Sequence, residues 1–276
     1  MNPVRNIYSS KDLEKISNGV KKKIIIISAA VIVFIAGAVF FYKMGYVVPV
    51  LMYHSIDYND RVTKLSLSPE SFRRQMEFLH KRRYNVLPLE KIIPYIEKKK
   101  KVPPGTVAIT FDDGYYNNYK YAYPVLKKYN LPATIFVIVN KVGAPGYLNW
   151  KEIKEMSDSG IITIGSHTMN HLWLPDVAPR VLEKEVKESK EILEKRLGKD
   201  VKLFCYPIGA HDKKVEKAVE DAGYACAVAT NPGRFKPTDD IYAIKRVRIS
   251  RTSDNMFVFW VETSGIYTWI KEHRDE

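Results

Sequence analysis

The stretch TVAITFDDG, residues 106–114, decides the architecture. Its first six residues, Thr106–Phe111, are β-branched, apolar or aromatic and read as a buried strand. The strand stops at Asp112, Asp113 and Gly114, a turn sequence. A second stretch repeats the arrangement: IITIG (161–165) is a buried strand running straight into SHTMNH (166–171). Similar runs lie at 47–53, 133–139, 202–206, 225–229 and 243–249, with a shorter one at 85–88. Helical patterns separate most of them, at 118–129, 151–157, 180–197 and 213–222, and Gly160, Gly198 and Gly223 follow three of these as stop signals. Ser68, Pro69 and Glu70 open an earlier helix as cap, first-turn proline and first-turn acid. Lys98–Lys101 followed by VPPG reads as a linker loop. Near-continuous apolar strands alternating with helices imply a parallel sheet covered on both faces. Seven or eight strands suit an irregular α/β barrel, with a doubly wound open sheet as the alternative.

In a parallel barrel, functional side chains gather at the C-terminal ends of strands. Asp112, Asp113, His167, His171 and the turn at Pro207-Ile208-Gly209 all fall there, although their segments are far apart in sequence. Asp-Asp-Gly alone is an ordinary turn, and a His pair four residues apart is a common helical-face pattern. Their joint placement on one rim carries the argument. Two imidazoles and one carboxylate suit zinc or a neighbouring divalent ion with positions left open, while the other aspartate serves as general base. Such a set polarises a water and a substrate carbonyl, which is the chemistry of a metal-dependent hydrolase.

The N-terminal part reads differently. Residues 24–42, IIIISAAVIVFIAGAVFFY, carry no charge, and as a helix they span roughly 28 Å, close to the hydrocarbon thickness of a bilayer. Lys21, Lys22 and Lys23 precede the run and Lys43 alone follows it, so the positive-inside bias places residues 1–23 in the cytoplasm. The run exceeds the apolar core of a signal peptide and no small-x-small cleavage site follows, so 24–42 is expected to be an uncleaved transmembrane anchor. Residues 45–276 then form one extracellular domain. Net charge is +13, of which residues 1–44 contribute +5 and the remainder +8. A basic surface suits anionic partners, but no nucleic-acid motif is present. Cys205 and Cys226 each lie in an expected strand, as a bridge or as buried free thiols.

These motifs resemble those of the polysaccharide deacetylases of the NodB-homology type, carbohydrate esterase family 4, over residues 47–249. The resemblance implies that Asp113, His167 and His171 bind one divalent metal ion, zinc foremost, and that Asp112 is the base. The family's third motif, Arg-x-Pro-Tyr/Phe-Gly, here reads Cys205-Tyr206-Pro207-Ile208-Gly209. The resemblance implies that Tyr206, Pro207, Ile208 and Gly209 form the substrate and oxyanion turn, with the Ile208 N–H expected as the oxyanion donor. The motif arginine, usual partner of the base, is absent; Arg246 could supply its charge from another strand, with Arg248 on the same strand face as competitor. PVLMYHSI (49–56) resembles the segment bordering the active site of poly-N-acetylglucosamine deacetylases, which makes His54 a candidate catalytic residue. The family's late-motif histidine has no counterpart, since only His273 follows His211. The general acid therefore stays open. The implied activity is removal of acetyl groups from an N-acetylglucosamine polymer, exopolysaccharide or peptidoglycan, by a monomer held to the lipid bilayer through 24–42. A deacetylase-fold glycan-binding or scaffold protein is the alternative.

Overall fold

Strand formation follows the apolar runs, trimmed at their ends by the turns that carry the chemistry. The computed structural model describes residues 10–45, 48–58, 65–97, 102–230 and 240–265. Its strands are β1 (Val50–Tyr53), β2 (Asn85–Val86), β3 (Thr106–Phe111), β4 (Ala133–Val137), β5 (Ile162–Ser166), β6 (Leu203–Cys205), β7 (Cys226–Val228) and β8 (Val247–Arg248). They lie in the order β7-β6-β5-β4-β3-β1-β8, with β2 against the start of β3. Every strand pair is parallel. The sheet curls into a half-barrel, and a bridge from Val228 to Ile244 brings the β7 edge to the segment leading into β8. The expected linker at 98–101 lies outside the described residues.

Alternation along the strands builds two cores. Val50, Ala108, Phe136, Leu203, Cys205, Cys226, Val228 and Ile244 form one cluster, on the concave side of the sheet. Leu51, Tyr53, Ile109, Phe111, Ile135, Ile164 and Phe204 face the other way, into the larger cluster shared with the helices. Phe136 fills the concave side so fully that a Cβ on Gly165 would come within 2.5 Å of its ring. The next residue of that parity beyond Gly165 is His167, and beyond Ala108 come Thr110 and Asp112. Side-chain alternation thus delivers the polar site residues to the top of an apolar plug.

The covering helices keep the expected order. Helix α2 (Pro69–Lys81) is capped by Ser68, whose hydroxyl accepts from the Ser71 N–H at 3.2 Å. Then come α3 (Ile93–Glu97), α4 (Tyr123–Tyr129) and α5 (Trp150–Asp158), the last opened by an Asn149/Glu152 capping box. The expected helix at 180–197 is α6 (Pro179–Glu183) and α7 (Ser189–Leu197) joined by a π-helical turn, Lys184–Glu188. A second π-turn, Asn118–Ala122, leads into α4. Helix α8 (Lys213–Asp221) follows β6, and α9 (Met256–Thr263), which the sequence reading did not anticipate, buries Phe259. Cys205 and Cys226 are free thiols. On their adjacent strands Cys226 pairs in register with Leu203, not with Cys205, which separates the two sulfurs.

Residues Met1–Gly45 and Tyr46–Glu276 are two separate compact units. The first contains helix α1 (Ser10–Gly45), which exposes Ile24–Ile27, Val31–Ile35, Val39 and Phe40. Among the described residues no helix is long and apolar enough to cross a membrane. The expected span 24–42 is thus not found as such.

Candidate metal centre and active site

Asp112 and Asp113 are neighbours that face different partners because the backbone turns between them. Asp112 continues the strand: its N–H donates to the Tyr53 carbonyl at 3.0 Å and its side chain is 2% exposed. Asp113 takes a left-handed conformation, φ 71°, and Gly114 another, φ 73°. That reversal sends the Asp113 carboxylate toward the histidines that follow β5.

The histidine pair is set with similar economy. His167 donates its backbone N–H to Val137 O at 2.9 Å, and its Nδ1 lies 2.8 Å from the Cys205 carbonyl. A carbonyl only accepts, so Nδ1 carries the proton and Nε2 presents a lone pair. Thr168 (φ 68°) and His171 (φ 62°) are both left-handed, which curls the loop until the two rings lie 4.7 Å apart and almost perpendicular. Asp113 Oδ1 is 3.5 Å from Nε2 of each histidine. Ligand atoms in a tetrahedron of about 2.0–2.1 Å bonds sit roughly 3.3–3.4 Å apart, so the observed edges fit a shared cation better than direct hydrogen bonds. A carboxylate with two imidazoles is a donor set for zinc or a neighbouring divalent ion.

A second group of donor atoms, Asp112, His167 and Cys205, is also close enough to hold a cation. It is already occupied by Arg246. The guanidinium donates to Asp112 Oδ1 at 2.7 Å and Oδ2 at 2.6 Å, to Thr110 Oγ1 at 3.0 Å and to Cys205 Sγ at 3.2 Å. Its Nε donates to the Ala229 carbonyl at 2.9 Å. A positive charge in that position excludes a second cation, leaving Asp113, His167 and His171 as the candidate metal-ligating set. Burial works against ionised Asp112, but the charge and hydrogen bonds of Arg246 outweigh it and hold the carboxyl well below the usual range. Burial is the leading cause that lowers the pKa of His171, which favours the neutral imidazole a metal requires.

The sequence could not separate Arg246 from Arg248, since strict alternation puts both on one face. The structure does: Arg246 is fully buried and Arg248 exposed. Alternation fails because β8 is only two residues long. Ile244 bridges to β7 while Val247 already pairs with Leu51 of β1, so residue 246 crosses the gap between two strands. The charge missing from the third motif is thus restored from the opposite edge of the sheet.

His54 follows β1 and places Nε2 4.0 Å from Asp112 Oδ2. Its Nδ1 is buried with no hydrogen-bond partner among the described residues. Burial lowers its pKa more than the nearby carboxylates raise it, so the ring is neutral at neutral pH. The turn Tyr206-Pro207-Ile208-Gly209 sits at the end of β6. Ile208 is left-handed (φ 59°) and 61% exposed, and its N–H lies outside the turn's own Gly209→Tyr206 and Ala210→Pro207 hydrogen bonds. Thr230 clasps the turn by donating to Ile208 O at 2.8 Å, and a Cβ on Gly209 would come within 2.0 Å of Thr230 Oγ1. Tyr206 turns into the larger core cluster shared with the helices, its hydroxyl donating to Tyr242 O. His211 stacks on Tyr206 and bonds Glu216, away from the two aspartates.

Sequence reasoning missed several members. Tyr115 and Tyr147 stack at 5.3 Å beside Asp113, and burial followed by the Asp113 charge raises both phenol pKa values. Thr110 was visible only as a strand residue. A polar residue inside the otherwise apolar run 107–111, two positions before the aspartate pair, was the available signal.

The family profile described as polysaccharide deacetylase matches residues 99–227. The Bacillus subtilis (strain 168) protein YxkH, named for the same family, is 37% identical over 202 residues, 73% of this chain and 71% of that one. The chain belongs to the polysaccharide deacetylase family. A poly-beta-1,6-N-acetyl-D-glucosamine N-deacetylase of Staphylococcus epidermidis is 30% identical over 202 residues, covering 68% of this chain and 70% of that protein. Among solved structures, the Streptococcus pyogenes deacetylase PplD, in complex with acetate, superposes with a TM-score of 0.71 at 28% identity, covering 77% of this chain and 97% of that one. The deacetylase fold and the motifs quoted from the sequence thus belong to one family.

Proposed function

We propose that this chain is a metal-dependent N-deacetylase of an extracellular N-acetylglucosamine polymer, tethered to the cell membrane through residues 24–42. The observation that carries the reading is the bidentate Arg246–Asp112 pair beside the Asp113, His167 and His171 set. The altered third motif alone would favour a binding protein that had lost turnover, and Arg246 removes that ground. Likeness to the staphylococcal poly-β-1,6-N-acetylglucosamine deacetylase supports an exopolysaccharide ahead of peptidoglycan.

Asp113, His167 and His171 would hold a divalent cation, and the chemistry it would supply is Lewis-acid polarisation of a water and of the substrate's acetyl carbonyl. Asp112, ionised and oriented by Arg246, accepts the proton of the attacking water. The Ile208 N–H donates to the oxygen that becomes negative as the carbonyl carbon turns tetrahedral. His54, neutral and beside Asp112, relays a proton to the amide nitrogen as the C–N bond breaks, giving acetate and a free sugar amine. Tyr115 and Tyr147 form an aromatic wall beside Asp113 suited to the apolar face of a sugar ring.

The test is acetate release from N-acetylglucosamine oligomers by the full-length protein in detergent, before and after chelation. Loss on chelation with recovery on adding Zn2+ or Co2+ supports the enzyme. Absence of release from oligomers, polymer and peptidoglycan by metal-loaded protein makes glycan binding the better account.

A further inference from the structure

We propose that Glu185 is a positioning residue for the metal centre, setting the histidine loop through Asn170. The inference rests on the reading of Asp113, His167 and His171 as metal ligands. Glu185 is 2% exposed and lies in the π-turn between α6 and α7, on no motif quoted above. One carboxyl oxygen accepts from the Asn170 backbone N–H at 2.8 Å and the other from the Asn170 side-chain amide at 2.5 Å. Asn170 stands between the two histidines and immediately precedes His171.

The rest of the loop is held by neutral groups. Val139 N–H donates to Thr168 O, Asn140 N–H to Met169 O, and the Asn140 amide to Asn170 Oδ1 at 2.7 Å. His171 N–H donates to Thr168 Oγ1. Glu185 is the one carboxyl group among the contacts that hold residues 168–171 by hydrogen bonds in the described structure. It grips the loop beside a left-handed, non-glycine ligand residue, a conformation that persists only when its surroundings over-determine it.

The π-turn explains how a helix facing the outer side of β5 reaches this loop. A π-bulge inserts a residue and frees carbonyls from the helical ladder. Here the Val186 carbonyl is taken by the Ser189 hydroxyl at 2.8 Å and the Tyr224 hydroxyl at 3.0 Å. Ser189 also accepts from Ser166 Oγ at 2.8 Å, and Ser166 accepts from the Thr168 N–H. The same bulge that presents Glu185 to Asn170 is thereby tied to the last residue of β5. Outer-sphere groups that orient metal ligands commonly govern affinity about as strongly as activity.

The test is Zn2+ affinity of chelator-stripped full-length protein, by competition with a chromophoric chelator, with the visible spectrum of the Co2+ form as a geometric readout. Glu185→Gln keeps size but offers one acceptor where two donors point, so an N–H meets an NH2. We expect its Zn2+ Kd to rise about tenfold or more and its Co2+ spectrum to change, with Asn170→Ala giving a similar rise. The double variant is expected to be no weaker than the weaker single, because both remove one clamp. A Kd within about twofold of wild type in Glu185→Gln, even with a lowered melting midpoint of the metal-free protein, overturns the proposal. Additive losses in the double variant overturn it too. Should Glu185→Gln fail to fold, unchanged affinity in Asn170→Ala does the same. A wild type that does not bind Zn2+, with His167→Ala indistinguishable from it, overturns the metal reading and this proposal together.

Discussion

Asp112 and Arg246 are both fully withdrawn from water, so each depends on the other. A buried pair adds little net stability over an apolar replacement, yet removing one partner leaves a stranded charge. Arg246→Met should therefore lower unfolding free energy by about 3–5 kcal/mol, read from urea titration, and reduce kcat/KM by about a hundredfold or more. Arg246→Lys should retain a fraction of both, since an ammonium cannot reproduce the two parallel hydrogen bonds. The pH dependence has a definite sign. Arg246 depresses the folded-state pKa of Asp112, so its contribution is fully present above the unfolded carboxyl value of about 3.9 and is lost as pH falls toward the folded one. The stability gap between wild type and Asp112→Asn should stay flat from pH 8 to 5 and shift only below about pH 4. Thermal melts across that range check it.

The elements show which parts of the site were legible. Strand positions were readable because each catalytic motif ends an apolar run, and a buried parallel strand leaves little else for such a run to be. The placement of Asp112, Asp113, His167 and His171 at strand ends followed from that, while their separate roles came only from the family resemblance. Arg246 did not, because its strand is two residues long and changes partners at the residue in question. The π-turns were invisible because an inserted residue barely alters helical periodicity over 180–197, and with them Glu185 was hidden. Helix α9 was missed because MFVFWV is apolar without a helical stripe. The oxyanion turn offers a test at this scale. Ile208 holds a left-handed φ that costs a β-branched residue roughly 1–2 kcal/mol, whereas Gly209 has no room for a Cβ. Gly209→Ala should destabilise by about 1–3 kcal/mol through the clash with Thr230, and Ile208→Gly by less than that despite losing a whole side chain. Paired melting curves decide between them.

For the whole molecule, two questions are separable: where the chain sits and what its rim does. Three lysines before an uncharged run predict a cytoplasmic N-terminus and an external catalytic unit. Full-length protein should resist alkaline carbonate extraction, and intact cells should expose the catalytic unit, not residues 1–23, to added protease. Release by carbonate would remove the anchor and leave the chemistry untouched. In the proposed reading the chemistry rests on one rim, where four segments distant in sequence would supply a metal-ligating set, a base with its arginine and an oxyanion donor. Acetate released from poly-β-1,6-N-acetylglucosamine by wild-type protein and by Asp112→Asn, both loaded with Zn2+, tests this most directly. We predict metal-dependent release by the wild type and a loss of about a hundredfold or more in the variant, with Zn2+ still bound. Equal release from both would contradict the assignment of Asp112, and release from neither would contradict the deacetylase itself.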